Sequence, residues 1–124
     1  MARRSRSARP VASGALTILE VETKDRDDGV ELALKGELDL STIEKVEQEL
    51  TRAEDSGHRL IVLDLSGLTF LDSTGLRTIV TADQRARRGG RRVVILKGPA
   101  TVHRVFTITR LDERLEMVDS ADDI

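Results

Sequence analysis
Past its first fourteen residues the chain switches between two periods. ALTILEVET (15–23) alternates, with Leu16, Ile18 and Glu20 on one face and Thr17, Leu19 and Val21 on the other, which predicts a strand. DRDDG (25–29) ends in Asp-Gly, a turn signal. VELALKG then sets Val30, Leu32 and Leu34 against Glu31, Ala33 and Lys35, a half-buried strand. The two strands read as a hairpin and are therefore antiparallel.

After Gly36 the period lengthens. Ile43, Val46, Leu50 and Ala53 recur at helical spacing, with Glu44, Lys45, Glu47 and Glu49 between them. Ser41 stands three residues before Glu44, a capping box, and Ser56-Gly57 ends the helix. LIVLDL (60–65) is nearly all apolar, as in a central strand covered on both faces. SGLTFLDSTGL is expected to connect it to a second helix over 74–88, buried through Leu76, Ile79, Val80 and Ala86. RRGGRR closes that helix, with Gly89 as cap. VVIL (93–96) is the next strand. GPA opens a third helix carrying Val102, Val105 and Phe106, LEMV (115–118) is a last strand, and SADDI starts a further turn. The order β-β-α-β-α-β-α-β predicts an α/β fold: a mixed, mostly parallel sheet with helices packed against it.

Composition narrows the chemistry. At 124 residues the chain has the length of one domain. Without Cys it has no disulfide, thiolate metal site or cysteine nucleophile. Without Trp or Tyr, and with only Phe70 and Phe106, it has an aliphatic core and no platform for stacking bases. Twenty Lys and Arg against 22 Asp and Glu leave a net charge of -2, which argues against nucleic acid as a direct partner. The charge is uneven: Arg3, Arg4, Arg6 and Arg9 precede the first acid, leaving about -6 for the remainder. That leading segment, 1–14, reads as a disordered basic tail, although Arg and Ser without acids also suit a transit peptide. It lacks the apolar stretch of a secretory signal, and no run reaches the about 20 residues of a membrane span. A cytoplasmic protein without a membrane partner is expected.

Most candidate chemistry dissolves on inspection. His58 and His103 have no ligand-spaced partners, so no metal site is expected. There is no nucleophile elbow for a serine triad and no glycine-rich nucleotide loop, so neither catalytic residues nor a cofactor are expected. Asp25, Asp27 and Asp28 lack the pattern of a calcium loop. Asp64 ends a central strand, where it caps the following loop or serves a function. Arg85, Arg87, Arg88, Arg91 and Arg92 read as a solvated helix end suited to the helix dipole, or as a patch for an acidic partner.

Asp72-Ser73-Thr74-Gly75 is different. It joins a buried strand to a helix, where Asp72 or Ser73 can cap unpaired N–H groups and Gly75 permits a close approach. A phosphate on Ser73 would meet those N–H groups, adding charge without buried strain. By spacing alone such a segment is more often a plain helix cap than a functional site.

GELDLST (36–42), LIVLDLSGLTFLDSTGL (60–76) and the GP before a Val/Phe-containing helix (98–106) together resemble the STAS domain family, named for sulfate transporters and anti-sigma factor antagonists. The resemblance covers about residues 15–120, so 15–124 is read as one STAS domain, most similar to the free-standing bacterial anti-sigma factor antagonists. It implies that Ser73 is phosphorylated by an anti-sigma factor that is also a serine kinase, and that a serine phosphatase resets it. Asp39, Asp72, Ser73, Thr74 and Gly75 become the partner-binding residues, and the catalytic machinery lies in the partner. Arg77 stands where many relatives carry Gly. STAS-like domains also serve as accessory subunits of transport or stress-sensing assemblies, the alternative reading. One compact domain without an evident apolar patch is expected to be monomeric when free.

Overall fold
A computed structural model describes residues 18–124. The basic segment 1–14 and the start of the expected first strand, 15–17, lie outside the described residues. Five strands form one sheet in sequence order: β1 (Leu19–Arg26), β2 (Gly29–Leu38), β3 (Leu60–Leu71), β4 (Arg92–Leu96) and β5 (Met117–Val118). β1 runs antiparallel to β2, and every later neighbour is parallel. The crossovers carry α1 (Ile43–Asp55), α2 (Ser73–Arg88) and α3 (Ala100–Ile108). Short 3-10 turns at Leu111–Glu113 and Ala121–Asp123 flank β5. The α/β order read from the periods is the observed one.

The core lies between the sheet and the helices. Leu32, Leu34, Ile61, Leu63, Leu65, Val93 and Ile95 meet Val46 and Leu50 of α1, Ile79 and Ala82 of α2, and Val102 and Phe106 of α3. Phe106 is the one aromatic ring in this otherwise aliphatic cluster. The alternate strand residues Leu60, Val62, Val94 and Leu96 form a smaller cluster on the other face, joined by Val118 and Ile124. β3 is thus buried on both faces, as its unbroken apolar run requires.

Three local expectations give way. The hairpin turn is Asp27-Asp28, because Arg26 pairs with Gly29. Gly29 is needed for proximity: a Cβ there would lie 2.0 Å from the Leu60 carbonyl oxygen. β3 does not end at Leu65 but runs to Leu71, against β2 as far as Leu38. The sequence hides this because β3 carries an extra residue opposite β2 between Asp64 and Gly67, and another between Leu68 and Phe70. Each such bulge restarts the alternation. Leu65, Leu68 and Leu71 therefore all reach the core at a spacing of three that looks like loop. The second helix accordingly begins at Ser73.

The third concerns the start of α1. Thr42, not Ser41, is the N-cap, and its side chain makes no capping bond. The Asp39 carboxylate captures Ser41 instead, accepting from its N–H at 2.9 Å and its hydroxyl at 2.7 Å. The Thr42 hydroxyl turns back to the end of β2, donating to the Glu37 carbonyl at 2.8 Å and accepting from the Asp39 N–H at 3.0 Å. The expected capping box is replaced by a tight corner.

Candidate functional site
The C-terminal ends of parallel strands are where an α/β sheet presents loops and helix N-termini together. Here β2 and β3 end side by side, with Leu38 opposite Leu71. The next residue of each, Asp39 and Asp72, begins a corner.

Asp72 holds the two corners together. Its backbone N–H donates to the Leu38 carbonyl at 3.2 Å. Its side chain caps α2 by accepting from the Gly75 N–H at 2.9 Å, and its other oxygen accepts from the Leu40 N–H at 3.3 Å. One carboxylate thus satisfies a helix-end donor and a donor in the β2–α1 loop. Ser73, the first residue of α2, is exposed, and Thr74 is half-buried. Gly75 is buried beneath them. A Cβ there would fall 2.7 Å from Leu71 Cδ1 and 2.8 Å from Leu38 Cγ, so only glycine lets the helix start this close to both strands.

Asp39 lies on the adjoining corner. The hydrogen bond from the Ser41 hydroxyl, with further bonds from the Ser41 and Thr42 backbone and the Thr42 side chain, holds its carboxyl below the usual carboxylate range. It is therefore ionised at neutral pH, and no acid occupies the first turn of α2 beyond the Asp72 cap. The arrangement sets two hydrogen-bonded carboxylates on adjoining corners, one of them next in the chain to an exposed serine at a helix N-terminus. Chemically it can receive a group on Ser73 Oγ without disturbing the bonds that hold the corner.

Asp39, Asp72, Ser73 and Thr74 are brought to one end of the sheet, with Gly75 packed below. Two apolar neighbours escaped the sequence reading. Leu40 is 74% exposed, tethered through its N–H to Asp72, and Phe70 is 47% exposed beside Glu37. Leu40 could have been noticed as an apolar residue between an acid and a serine in a non-helical segment. Phe70 could not, because its orientation depends on the bulge.

The other candidates lie elsewhere. Asp64 accepts from the Ser66 N–H at 2.9 Å and so braces the first bulge of β3. His103 stacks on Phe106, with ring centres 6.1 Å apart. Asp28 pairs with Arg26 at 2.9 Å. Among the described residues, no group of three or more potential ligands is placed to hold a metal ion, and no helix is long and apolar enough to cross a membrane. The arginines in the last turn of α2 and just after it gather at the opposite end of the sheet and mostly bond internally. Arg85 reaches Glu54 at 3.0 Å, Arg87 reaches Asp83 at 3.0 Å and the Arg114 carbonyl at 2.7 Å, and Arg91 donates to the Glu54 carbonyl at 3.1 Å. Arg92 forks onto Glu116.

Comparison with known proteins agrees with this geometry. An anti-sigma-B factor antagonist of Staphylococcus aureus is 29% identical over 104 residues, spanning 84% of this chain and 96% of that protein. The crystal structure of an anti-sigma factor antagonist from Mycobacterium paratuberculosis matches with a TM-score of 0.75 at 27% identity, covering 88% of this chain and 92% of that one. The anti-sigma factor antagonist SpoIIAA in its unphosphorylated form shares the fold, with a TM-score of 0.70 at 21% identity over 84% of this chain and 91% of that one. The STAS domain profile matches residues 19–124, from the first residue of β1 through the last 3-10 turn, and with the strand order and the β3–α2 corner in place the chain belongs to the STAS domain family.

Proposed function
We propose that this protein is an anti-sigma factor antagonist switched by phosphorylation of Ser73. Unphosphorylated, it binds an anti-sigma factor that is also a serine kinase, and a sigma factor is released. The kinase transfers phosphate from ATP to Ser73, binding weakens, and a serine phosphatase restores the starting state. The protein is substrate and ligand in this cycle, and the chemistry belongs to its partners.

The observation that carries this reading is the division of labour at the α2 corner. Asp72 does the capping and the loop tethering, while Ser73 beside it is exposed. A phosphate there adds about -1.5 to -2 charge at a helix N-terminus that favours anions, so the fold tolerates it. A partner packed over Leu40 and facing Asp39 and Asp72 does not. It would have to bury a strongly hydrated dianion next to fixed carboxylates. Losing a central contact commonly costs about 2 kcal/mol or more, roughly 30-fold in affinity.

The test is incubation with candidate anti-sigma kinases and ATP, followed by mapping of the phosphate by mass spectrometry. A single phosphate on Ser73 is expected, absent from Ser73→Ala, which still binds the kinase. Ser73→Glu should bind more weakly and keep a native circular dichroism spectrum. Phosphate on another residue, or no complex with any such kinase, sinks the reading and leaves an accessory role in a larger assembly. Unfolding of Ser73→Glu would mark Ser73 as structural.

A further inference from the structure
β1 forms one edge of the sheet over eight residues, whereas β5 at the other edge has two. The ladder tells which of its backbone groups point outward. The Glu37 N–H donates to the Ile18 carbonyl at 3.2 Å, so the even-numbered residues of this segment bond inward to β2. Alternation turns the N–H and C=O groups of Val21, Thr23 and Asp25 away from the sheet. Leu19 has the same parity, and its carbonyl is met from outside by Lys45 Nζ of α1 at 2.8 Å. Lys45 thereby closes that end of the edge, and among the described residues the stretch from Val21 to Asp25 is left open.

The side chains carry a second pattern. Leu19 and Val21 pack into the main core, so the odd-numbered residues face the helices and Glu20, Glu22, Lys24 and Arg26 face the other way. The signs along this row run minus, minus, plus, plus. Reversed, the row is its own complement. In an antiparallel pair with Thr23 opposite Thr23, Glu22 of each copy meets Lys24 of the other, and Glu20 meets Arg26. The same register pairs the outward backbone groups, Thr23 with Thr23 and Val21 with Asp25. The charged residues then occupy the non-hydrogen-bonded sites, where opposed side chains lie closest. The neighbouring registers that keep the backbone parity set Glu22 against Glu22 or Lys24 against Lys24. Charged edge strands ordinarily keep copies apart. This one makes four opposite-charge pairs in the centred register, against two opposite pairs and one like pair in each adjacent register, so the centred one is favoured.

We propose that β1 is a homodimer edge, on which a second copy of this chain adds its own β1 antiparallel about Thr23. The proposal rests on the edge and its charges, not on phosphorylation, and it revises the expectation of a monomer. A single strand pair buries less than the roughly 1,200 Å² typical of stable interfaces, so the dimer is weak and forms at high concentration. Its charge pairs are exposed, so salt weakens it.

Sedimentation equilibrium of the full chain, at rising concentration and at low and high salt, tests this. A monomer–dimer equilibrium that salt weakens is expected. Lys24→Glu sets acids against acids at two symmetric sites and should weaken dimerisation about tenfold or more. The double variant Glu22→Lys with Lys24→Glu restores the complement and should recover the dimer. Lys24 also stands opposite Glu31 of β2, but any damage there persists in the double variant, so recovery reports the contact between copies. A monomer at every concentration up to about 1 mM, a dimer indifferent to Lys24→Glu, or a double variant as weak as the single would each overturn the proposal.

Discussion
The two ends of the sheet are both rich in charge and use it in opposite ways. At the end where the parallel strands start, most of the cations have a nearby anion: Arg26 with Asp28 and Glu31, Arg85 with Glu54, Arg87 with Asp83, Arg92 with Glu116. At the end where the long strands finish, Asp39 and Asp72 have no cation within salt-bridge distance among the described residues. Their carboxylates are held by backbone N–H groups and hydroxyls. A hydrogen-bonded carboxylate keeps its charge and its field, whereas an ion pair cancels both. One end therefore pairs most of its charge internally, and the other displays fixed negative charge beside an exposed serine with an exposed leucine nearby. That contrast, more than the near-zero total, sets the corner proposed for recognition apart from the end that is held by ion pairs.

The contrast breaks first at Asp72, whose carboxylate serves both the α2 cap and the Leu40 N–H. Asp72→Ala should destabilise the protein by about 1–2 kcal/mol, the upper part of the range for a lost N-cap. Urea unfolding measures it. Asp72→Asn keeps an acceptor for the Gly75 N–H and should cost less than half as much while removing the charge. If alanine proves harmless, the corner is held by packing around Gly75 and not by the carboxylate.

The opposite end supplies the next test. Arg92 and Glu116 are half-exposed, so their attraction is diluted by solvent despite the forked geometry. Arg92→Ala should cost under about 1 kcal/mol, and less in high salt. The hydrogen bonds from Arg92 hold the Glu116 carboxyl below its usual range. Its depressed pKa means the pair stabilises above the unfolded value and ceases to as pH falls through the folded one. A loss larger than that of Asp72→Ala would reverse the ranking of the two ends.

Much of this was legible in the chain because local rules and tertiary packing agree. The strand and helix periods gave the element order, and the Asp72–Gly75 segment announced a capped helix start. The misread positions share a cause: a specific contact that the local pattern does not show overrides the local signal. Ser41 has the spacing of an N-cap, but the Asp39 carboxylate takes it first. Ser66-Gly67 has the composition of a turn, but pairing with β2 draws it into a bulged strand. The arginines that close α2 are, by contrast, the exposed helix end their spacing suggests, with Glu54, Asp83 and Glu116 paired to three of them at the surface. For the candidate site, the acids and the serine could be seen, but not that Asp72 reaches across to Leu40, a contact spanning 32 residues.

The smallest and most local prediction concerns Asp39, where the charge of the corner proposed for recognition is set by one neighbour. The Ser41 hydroxyl is the leading cause of the depressed Asp39 carboxyl, ahead of the backbone bonds from Ser41 and Thr42. Removing it in Ser41→Ala leaves the backbone donors in place, so the pKa should rise toward the ordinary 3.8 without fully reaching it. A side-chain NMR titration of both proteins reads this directly. Because the folded pKa lies below the unfolded one, the bond stabilises only while Asp39 is ionised. The difference in stability between the two proteins should be constant near neutral pH and shrink as pH falls through the folded pKa. Kinase affinity at neutral pH should change little, since Asp39 stays charged in both proteins. A large loss of affinity at neutral pH would mean that the partner reads the Ser41 hydroxyl itself, and that the corner presents a donor as well as its charge.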